Sequence, residues 1–292
     1  MTLNELNIDA SAKSNAQAWL DGSYDEATKQ AIRDMMSNPN ELNESFYRTL
    51  EFGTGGLRGI MGVGTNRMNK YTVAMATQGL ANYVKKCFSD IAKPKAAISH
   101  DSRNHSREFA EITAHVLAAN GFHVYLFDGM RPTPELSFAV RHLGCQTGVM
   151  LTASHNPKEY NGYKAYWNDG CQLTPPHDTS VIDEVLKIKD VKDVLMSGHD
   201  DEIEIIGENV DSIYLDRVEQ NAINPDIIRR NHDVKIVYTP LHGTGITLIP
   251  RMLKKLGFTN VNVVEKQAVP DGNFPTTPSP NPEEHAAMKM AV

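Results

Sequence analysis

The 292-residue sequence has no uninterrupted apolar run near the roughly 20 residues that a membrane-spanning helix needs, so no helical membrane span is expected. Met1-Thr2-Leu3-Asn4-Glu5-Leu6-Asn7 offers neither a basic start nor an apolar stretch, and no secretory leader is expected there. Cysteine is scarce. Cys87, Cys145 and Cys171 are odd in number and show no metal-ligand spacing, which argues against a disulfide framework and predicts a reducing, cytoplasmic setting. Positive charge is also short, with 29 Lys and Arg against 36 Asp and Glu, a net charge of -7. A general nucleic-acid binder wants a basic stripe to replace condensed counterions, so that class is excluded, and an anionic ligand needs a locally basic pocket.

What is present is a regular alternation of elements. Residues 11 to 49 read as a helical preface broken at Gly22 and at Asn38-Pro39-Asn40, with no chemistry attached. Tyr71 to Ala92 reads as a helix with Leu80, Val84, Cys87, Phe88 and Ile91 on one face, which predicts that Cys87 is core. Strands are predicted at 95–99, 124–127 and 148–151, and helices at 106–120 and 134–143. That pattern predicts a three-layer α/β/α domain on a mostly parallel, mixed sheet, with ligands bound beyond the carboxyl ends of the strands. Asp101, Arg103, Arg131 and Ser154 all follow strands. A helix is expected over 182–188, then a turn-rich acidic connector at 196–201 and a second unit of the same α/β type. Within it the strand 234–238, the helix 246–256 and the strand 261–264 make one βαβ unit. The expected division is a helical extension over 1–50, a first α/β domain over 51–204 and a second, incomplete one over 205–292.

The stretch that organises the chain is Gly148 to Gly170. The apolar run Gly148-Val149-Met150-Leu151 empties into Thr152-Ala153-Ser154-His155-Asn156-Pro157, so a serine is presented at a strand's end. Asn161-Gly162 reads as a turn, and Tyr163 to Trp167 as a second strand that brings Lys164 to face Ser154 across a loop. A hydroxyl nucleophile needs a neighbour that moves a proton, and a nearby cation also neutralises phosphate charge. Ser154, His155 and Lys164 supply both. On the residues alone an alternative stands, in which Ser154 and Asn156 merely satisfy loop backbone groups and His155 and Lys164 are ordinary surface and strand residues. Upstream, Gly53, Gly55, Gly56 and Gly59 surround Arg58, whose guanidinium can grip a phosphate through two parallel hydrogen bonds. Asp101 with Arg103 reads as an ion pair that shapes the site, and His105 and His115 as surface or packing residues.

These segments together resemble the alpha-D-phosphohexomutases, the family of phosphoglucomutase and phosphomannomutase. Thr152-Ala153-Ser154-His155-Asn156-Pro157 followed by Tyr160-Asn161-Gly162-Tyr163-Lys164 resembles the family's phosphoserine loop. Phe52-Gly53-Thr54-Gly55-Gly56-Leu57-Arg58-Gly59, Asn66-Arg67-Met68-Asn69, Asp101-Ser102-Arg103, Arg131-Pro132-Thr133-Pro134 and Asp271-Gly272-Asn273-Phe274-Pro275 match other signatures in family order. The resemblance implies an intramolecular phosphotransferase that moves phosphoryl between C1 and C6 of a hexose phosphate. It makes Ser154 the phosphoryl carrier, Lys164 the general acid/base, Arg58 the stabiliser of the transferring group and His155 an accessory. Arg58, Lys164 and Asn156 are the implied phosphate-binding residues. It further implies Mg2+, held by Ser154 through its phosphate with the remaining ligands expected beyond Val292, and a glucose 1,6-bisphosphate-type activator. Family members carry four domains, so the chain is expected to be a truncated piece, inactive alone if the missing grips are essential. Three alternatives are a phosphopentomutase, a non-catalytic sugar-phosphate-binding fragment, and an NAD-dependent dehydrogenase. The last rests on Gly243-x-Gly245 after a strand and Glu265 after the next, with Leu248 where a third glycine would stand.

Overall fold

The computed structural model describes residues 2–51, 53 and 56–292, so Phe52, Thr54 and Gly55 of the glycine-rich segment lie outside the described residues. The chain runs α1 (Ala10–Asp21), α2 (Glu26–Met35), α3 (Pro39–Phe46), β1 (Gly56–Ile60), α4 (Lys70–Cys87), β2 (Lys95–His100), α5 (Ser106–Ala119), β3 (His123–Phe127), α6 (Thr133–His142), β4 (Thr147–Leu151), β5 (Tyr160–Trp167), α7 (His177–Val185), β6 (Ile203–Ile206), α8 (Glu208–Glu219), α9 (Pro225–Arg230), β7 (Ile236–Tyr238), α10 (Gly245–Lys255), β8 (Val261–Val263), α11 (Glu265–Ala268) and α12 (His285–Met288). Two sheets result: a six-stranded one in the order β1-β5-β4-β2-β3-β6, and the parallel pair β7-β8.

In the large sheet β4, β2, β3 and β6 run parallel, while β5 is antiparallel to both β4 and β1. The two-residue alternation of the strands sorts their side chains to two faces. Ile98, Val124, Val149, Leu151 and Tyr163 meet Leu80, Val84, Phe109 and Leu117 on one side. Ala97, Phe127, Met150 and Tyr166 meet Leu136, Ala139 and Val140 of α6 on the other. This is the three-layer mixed sheet that the alternation predicts. The helices α1 to α3 enclose a satellite core of Ala16, Trp19, Ile32, Leu42 and Phe46 that is closed by Tyr71 of α4. Asn69 starts α4, accepting from the amides of Tyr71 and Thr72.

Three expectations are corrected. Cys87 is exposed rather than core, because α4 ends there, Phe88 leaves helical geometry, and Lys85 and Lys86 carry that face into solvent. Asn161-Gly162 is no turn but the interior of β5, paired with Gly59 and Arg58 of β1. A Cβ at Gly162 would lie 2.5 Å from the Thr152 carbonyl oxygen and 2.9 Å from that of Leu57, so the glycine permits close strand approach instead of a bend. Buried Asn161 donates to Ser106 Oγ and to the Asn104 carbonyl, which gives its amide a partner inside the sheet. The expected division at 204/205 also falls inside β6, which pairs with β3 and completes the first sheet.

The junction after β6 is held by a buried charge cluster. Arg131 Nε donates to Asp211 Oδ1 of α8 at 2.8 Å and its Nη2 to Asp128 at 3.0 Å, while Arg251 of α10 reaches Asp211 Oδ2 at 3.1 Å. Glu135 of α6 is fully buried beside them, 3.9 Å from Arg131 Nε. Burial first, and the Asp211 carboxyl second, push Glu135 up from 4.5 to about 8. An acid raised on folding favours the folded state below its unfolded pKa and loses that contribution as pH climbs to the folded value. Urea unfolding of the parent and Glu135→Gln should therefore diverge between 4.5 and about 8, the parent losing stability relative to the variant as pH rises. Parallel curves across that window would show that the carboxyl is not held neutral.

Candidate active site

The site forms where β2 and β4 end side by side. The β2 end delivers Asp101 and Arg103, and the β4 end delivers Thr152 to Pro157. Arg103 is the structural centre. Its side chain is wholly inaccessible, yet its guanidinium makes four hydrogen bonds to main-chain carbonyls: Nη1 to Pro157 at 2.9 Å and Tyr160 at 3.0 Å, Nη2 to Ser154 at 3.0 Å and Asn156 at 2.6 Å. The planar fork with its fixed donors suits this task, and a single ammonium does not. Burial pulls the Arg103 pKa down, and Asp101 acts against that fall.

Asp101 is fully engaged. Its Oδ1 accepts from the Arg103 amide at 2.9 Å and Ser106 Oγ at 2.7 Å, and its Oδ2 accepts from Thr152 Oγ1 at 2.6 Å and lies 3.4 Å from Arg103 Nε. Thr152 in turn accepts from the Ser154 amide at 2.9 Å. Asp101 and Arg103 thus do form the shaping ion pair that the sequence suggests. Their larger effect is on the backbone: Ser154 sits at φ 57°, a left-handed conformation that few non-glycine residues adopt and that its fixed neighbours impose. The result is an exposed Ser154 hydroxyl at the rim of a cleft of about 500 Å3, whose other wall is Tyr238 at the end of β7 with Thr239, Pro240 and Thr244 of the β7–α10 connection. His155 is exposed beside it, with Nδ1 3.3 Å from Ser154 Oγ.

The two expected phosphate grips stand on β1 and β5. Arg58 and Lys164 share a depression of about 390 Å3 with Arg48 and Gln172, and neither lines the cleft that Ser154 borders. The Arg58 hollow is tied to the serine loop through Asn156, whose Oδ1 accepts from Arg58 Nη1 at 3.2 Å. Lys164 makes no direct bond to Ser154 among the described contacts. Burial and then the neighbouring Arg58 charge lower the Lys164 pKa, with Asp101 opposing them. Arg131 belongs elsewhere: its motif's Pro132 and Thr133 line the cleft, but its guanidinium turns to Asp211 and Asp128.

Sequence reasoning missed Thr152 and Ser106 as the hydroxyls that lock Asp101, and it missed the carbonyl-binding role of Arg103. The Thr-x-Ser spacing at 152–154 was the available signal, since a side-chain oxygen commonly accepts from the amide two residues on. The dehydrogenase alternative loses its footing here. A Cβ at Gly245 would lie 2.1 Å from the Tyr238 hydroxyl, so packing accounts for that glycine, and Glu265 opens α11 in solvent.

Comparison with known proteins agrees with this fold. The family model described as phosphoglucomutase/phosphomannomutase, alpha/beta/alpha domain I, matches residues 49–192, and that for alpha/beta/alpha domain II matches residues 212–292. A phosphoglucomutase of Staphylococcus epidermidis is 36% identical over 272 residues, covering 89% of this chain and 48% of the relative. One from Staphylococcus aureus strain MRSA252 is 41% identical over 255 residues, covering 86% and 45%. Among solved structures, a phosphoglucomutase/phosphomannomutase family protein from Burkholderia thailandensis superposes with a TM-score of 0.62 at 20% identity, covering 82% of this chain and 48% of that one. The open form of pp63/parafusin, a phosphoglucomutase from Paramecium, gives 0.63 at 17% identity, covering 80% and 46%. At those identities the structural likeness speaks to fold alone. The chain spans about half the length of the curated relatives it matches. With the two family models together covering most of its residues, the chain belongs to the phosphoglucomutase/phosphomannomutase family.

Proposed function

We propose that this chain carries the phosphoryl-relay site of a phosphohexomutase, with Ser154 as the phosphoryl carrier. The observation that carries the reading is the exposed Ser154 hydroxyl, held in a left-handed turn by Thr152 and by the Arg103 clamp at the rim of a cleft. A free hydroxyl of a hexose phosphate attacks phosphorus on phosphorylated Ser154, and the Ser154 oxygen leaves. The opposite phosphoryl of the resulting bisphosphate then returns to that oxygen. Each transfer moves one proton off the attacking hydroxyl and one onto the oxygen released. Such transfers depend on positioning and charge neutralisation more than on covalent help.

In this reading Arg58, hydrogen-bonded to Asn156 of the serine loop, supplies charge, and Lys164 handles the proton; the support for the latter is its lowered pKa, since such a lysine gives up its proton more readily. Exposed His155 lies beside the serine oxygen, with Nδ1 3.3 Å away. The magnesium ion and bisphosphate activator implied by the family resemblance belong to this proposal only as external components. Both Asp101 oxygens are committed to other partners, and the described residues contain no cluster of three metal-ligating acids, histidines or cysteines. These residues do not make a magnesium site by themselves, and no step above passes through one.

Incubation with a hexose 1,6-bisphosphate followed by phosphopeptide mapping tests the carrier assignment. One phosphoryl group is expected on the Ser154 peptide and none on Ser154→Ala, with the two proteins melting alike. Label that persists in the variant, or none in the parent, would leave the non-catalytic binding fragment as the better reading. The proton assignment has its own test in an NMR titration of the Lys164 side chain. Its midpoint should lie below that of surface lysines and move upward in Arg58→Gln, which removes a like charge. A midpoint that stays put in the variant would contradict the coupling.

A further inference from the structure

The motif Asp271-Gly272-Asn273-Phe274-Pro275 has no part in the chemistry above, yet the segment it opens lies against the serine loop. Phe274 is buried with its ring 5.2 Å from the Arg103 guanidinium carbon, and Asn104 donates to Asn273 Oδ1 at 3.1 Å. Further on, the Ser279 hydroxyl donates to the His155 carbonyl at 3.1 Å. Arg103 binds the carbonyls of Ser154, Asn156, Pro157 and Tyr160 but leaves that of His155, and Ser279 takes it. The two sets of contacts interlock.

At its other side the segment is tied to the second unit. The Asp271 amide donates to the His242 carbonyl at 3.3 Å, and Thr276 Oγ1 meets both His242 Nε2 at 2.9 Å and Gln267 Nε2 at 3.1 Å. Pro275, Pro278, Pro280 and Pro282 fix φ along it, so little chain entropy is lost when it docks. We propose that residues 271–282 are a strap by which the second unit positions the phosphoryl-carrying serine, with Phe274 and Ser279 as positioning residues. The inference deepens the carrier reading and rests on it for its kinetic consequence. The strap completes the set of restrained carbonyls around Ser154 and keeps the Arg103 clamp dry. Movement of the second unit is thereby coupled to the placement of the serine oxygen.

The test compares the parent with Ser279→Ala, Ser279→Thr and Phe274→Leu by amide NMR of residues 154–157 and by the rate of phosphoryl uptake from a hexose 1,6-bisphosphate. Ser279→Ala should shift those amide resonances and slow uptake at saturation about fivefold, the worth of one ordinary hydrogen bond, with KM unchanged. Ser279→Thr keeps the hydroxyl and should restore both. Phe274→Leu should shift the same resonances. Unshifted resonances in Ser279→Ala and Phe274→Leu, or a shift that threonine fails to restore, would overturn the strap. The resonances decide this whether or not Ser154 takes up phosphoryl, so failure of the carrier reading is separately visible.

Discussion

A guanidinium buried among carbonyl oxygens is the interaction on which this site depends. Taking Arg103 out of water costs several kcal/mol, and one carboxylate at 3.4 Å does not offset that without further hydrogen bonds. The loop from Ser154 to Tyr160 provides them with its main chain, whose own polar groups also need partners. Each half therefore stabilises the other. A loop with a left-handed serine and a proline at 157 would otherwise sample many conformations, and the fork of Arg103 selects one.

That constraint explains why the chemistry collects where it does. The parallel strands β2 and β4 bring Asp101 and Thr152 side by side, so a short hydrogen bond between them fixes the spacing of the two strand ends. The antiparallel strands β5 and β1 extend the same sheet and carry Lys164 and Arg58 on neighbouring strands, at a hollow tied to the serine loop by the Arg58–Asn156 hydrogen bond. Positive charge from Arg48, Arg58 and Lys164 is thus concentrated in one hollow of a chain that is acidic overall. A net charge of one sign sets no limit on the local field at a site lined by chosen side chains.

The alternation of apolar runs and amphipathic stretches made the parallel core legible, because its strands are short, apolar and separated by helices of ordinary length. Ser154 was legible as a nucleophile type at a strand's end, Arg58 as a cation among glycines, and Lys164 as a cation on the following strand. What the letters hid was tertiary in origin. Asn161-Gly162 has the composition of a hairpin turn, but close contact with the Thr152 carbonyl makes glycine a packing requirement in a strand. Cys87 keeps helical spacing at a point where the helix has already left the core. β6 lies far along the chain from its partner β3, so only the folded register assigns it to the first sheet. Arg103 was visible as a charge with an acidic neighbour, whereas its carbonyl partners lie about fifty residues away and carry no side-chain signature.

The account stands or falls on the Arg103 clamp, and hydrogen exchange of the amides from Ser154 to Tyr160 in Arg103→Lys measures it directly. Lysine keeps the charge but cannot span four carbonyls, so exchange in this loop should rise at least about tenfold, the equivalent of ~1.4 kcal/mol, while the amides of β2 and β4 stay protected. Equal protection of the loop in the parent and the variant would contradict the claim that this guanidinium holds the serine in place.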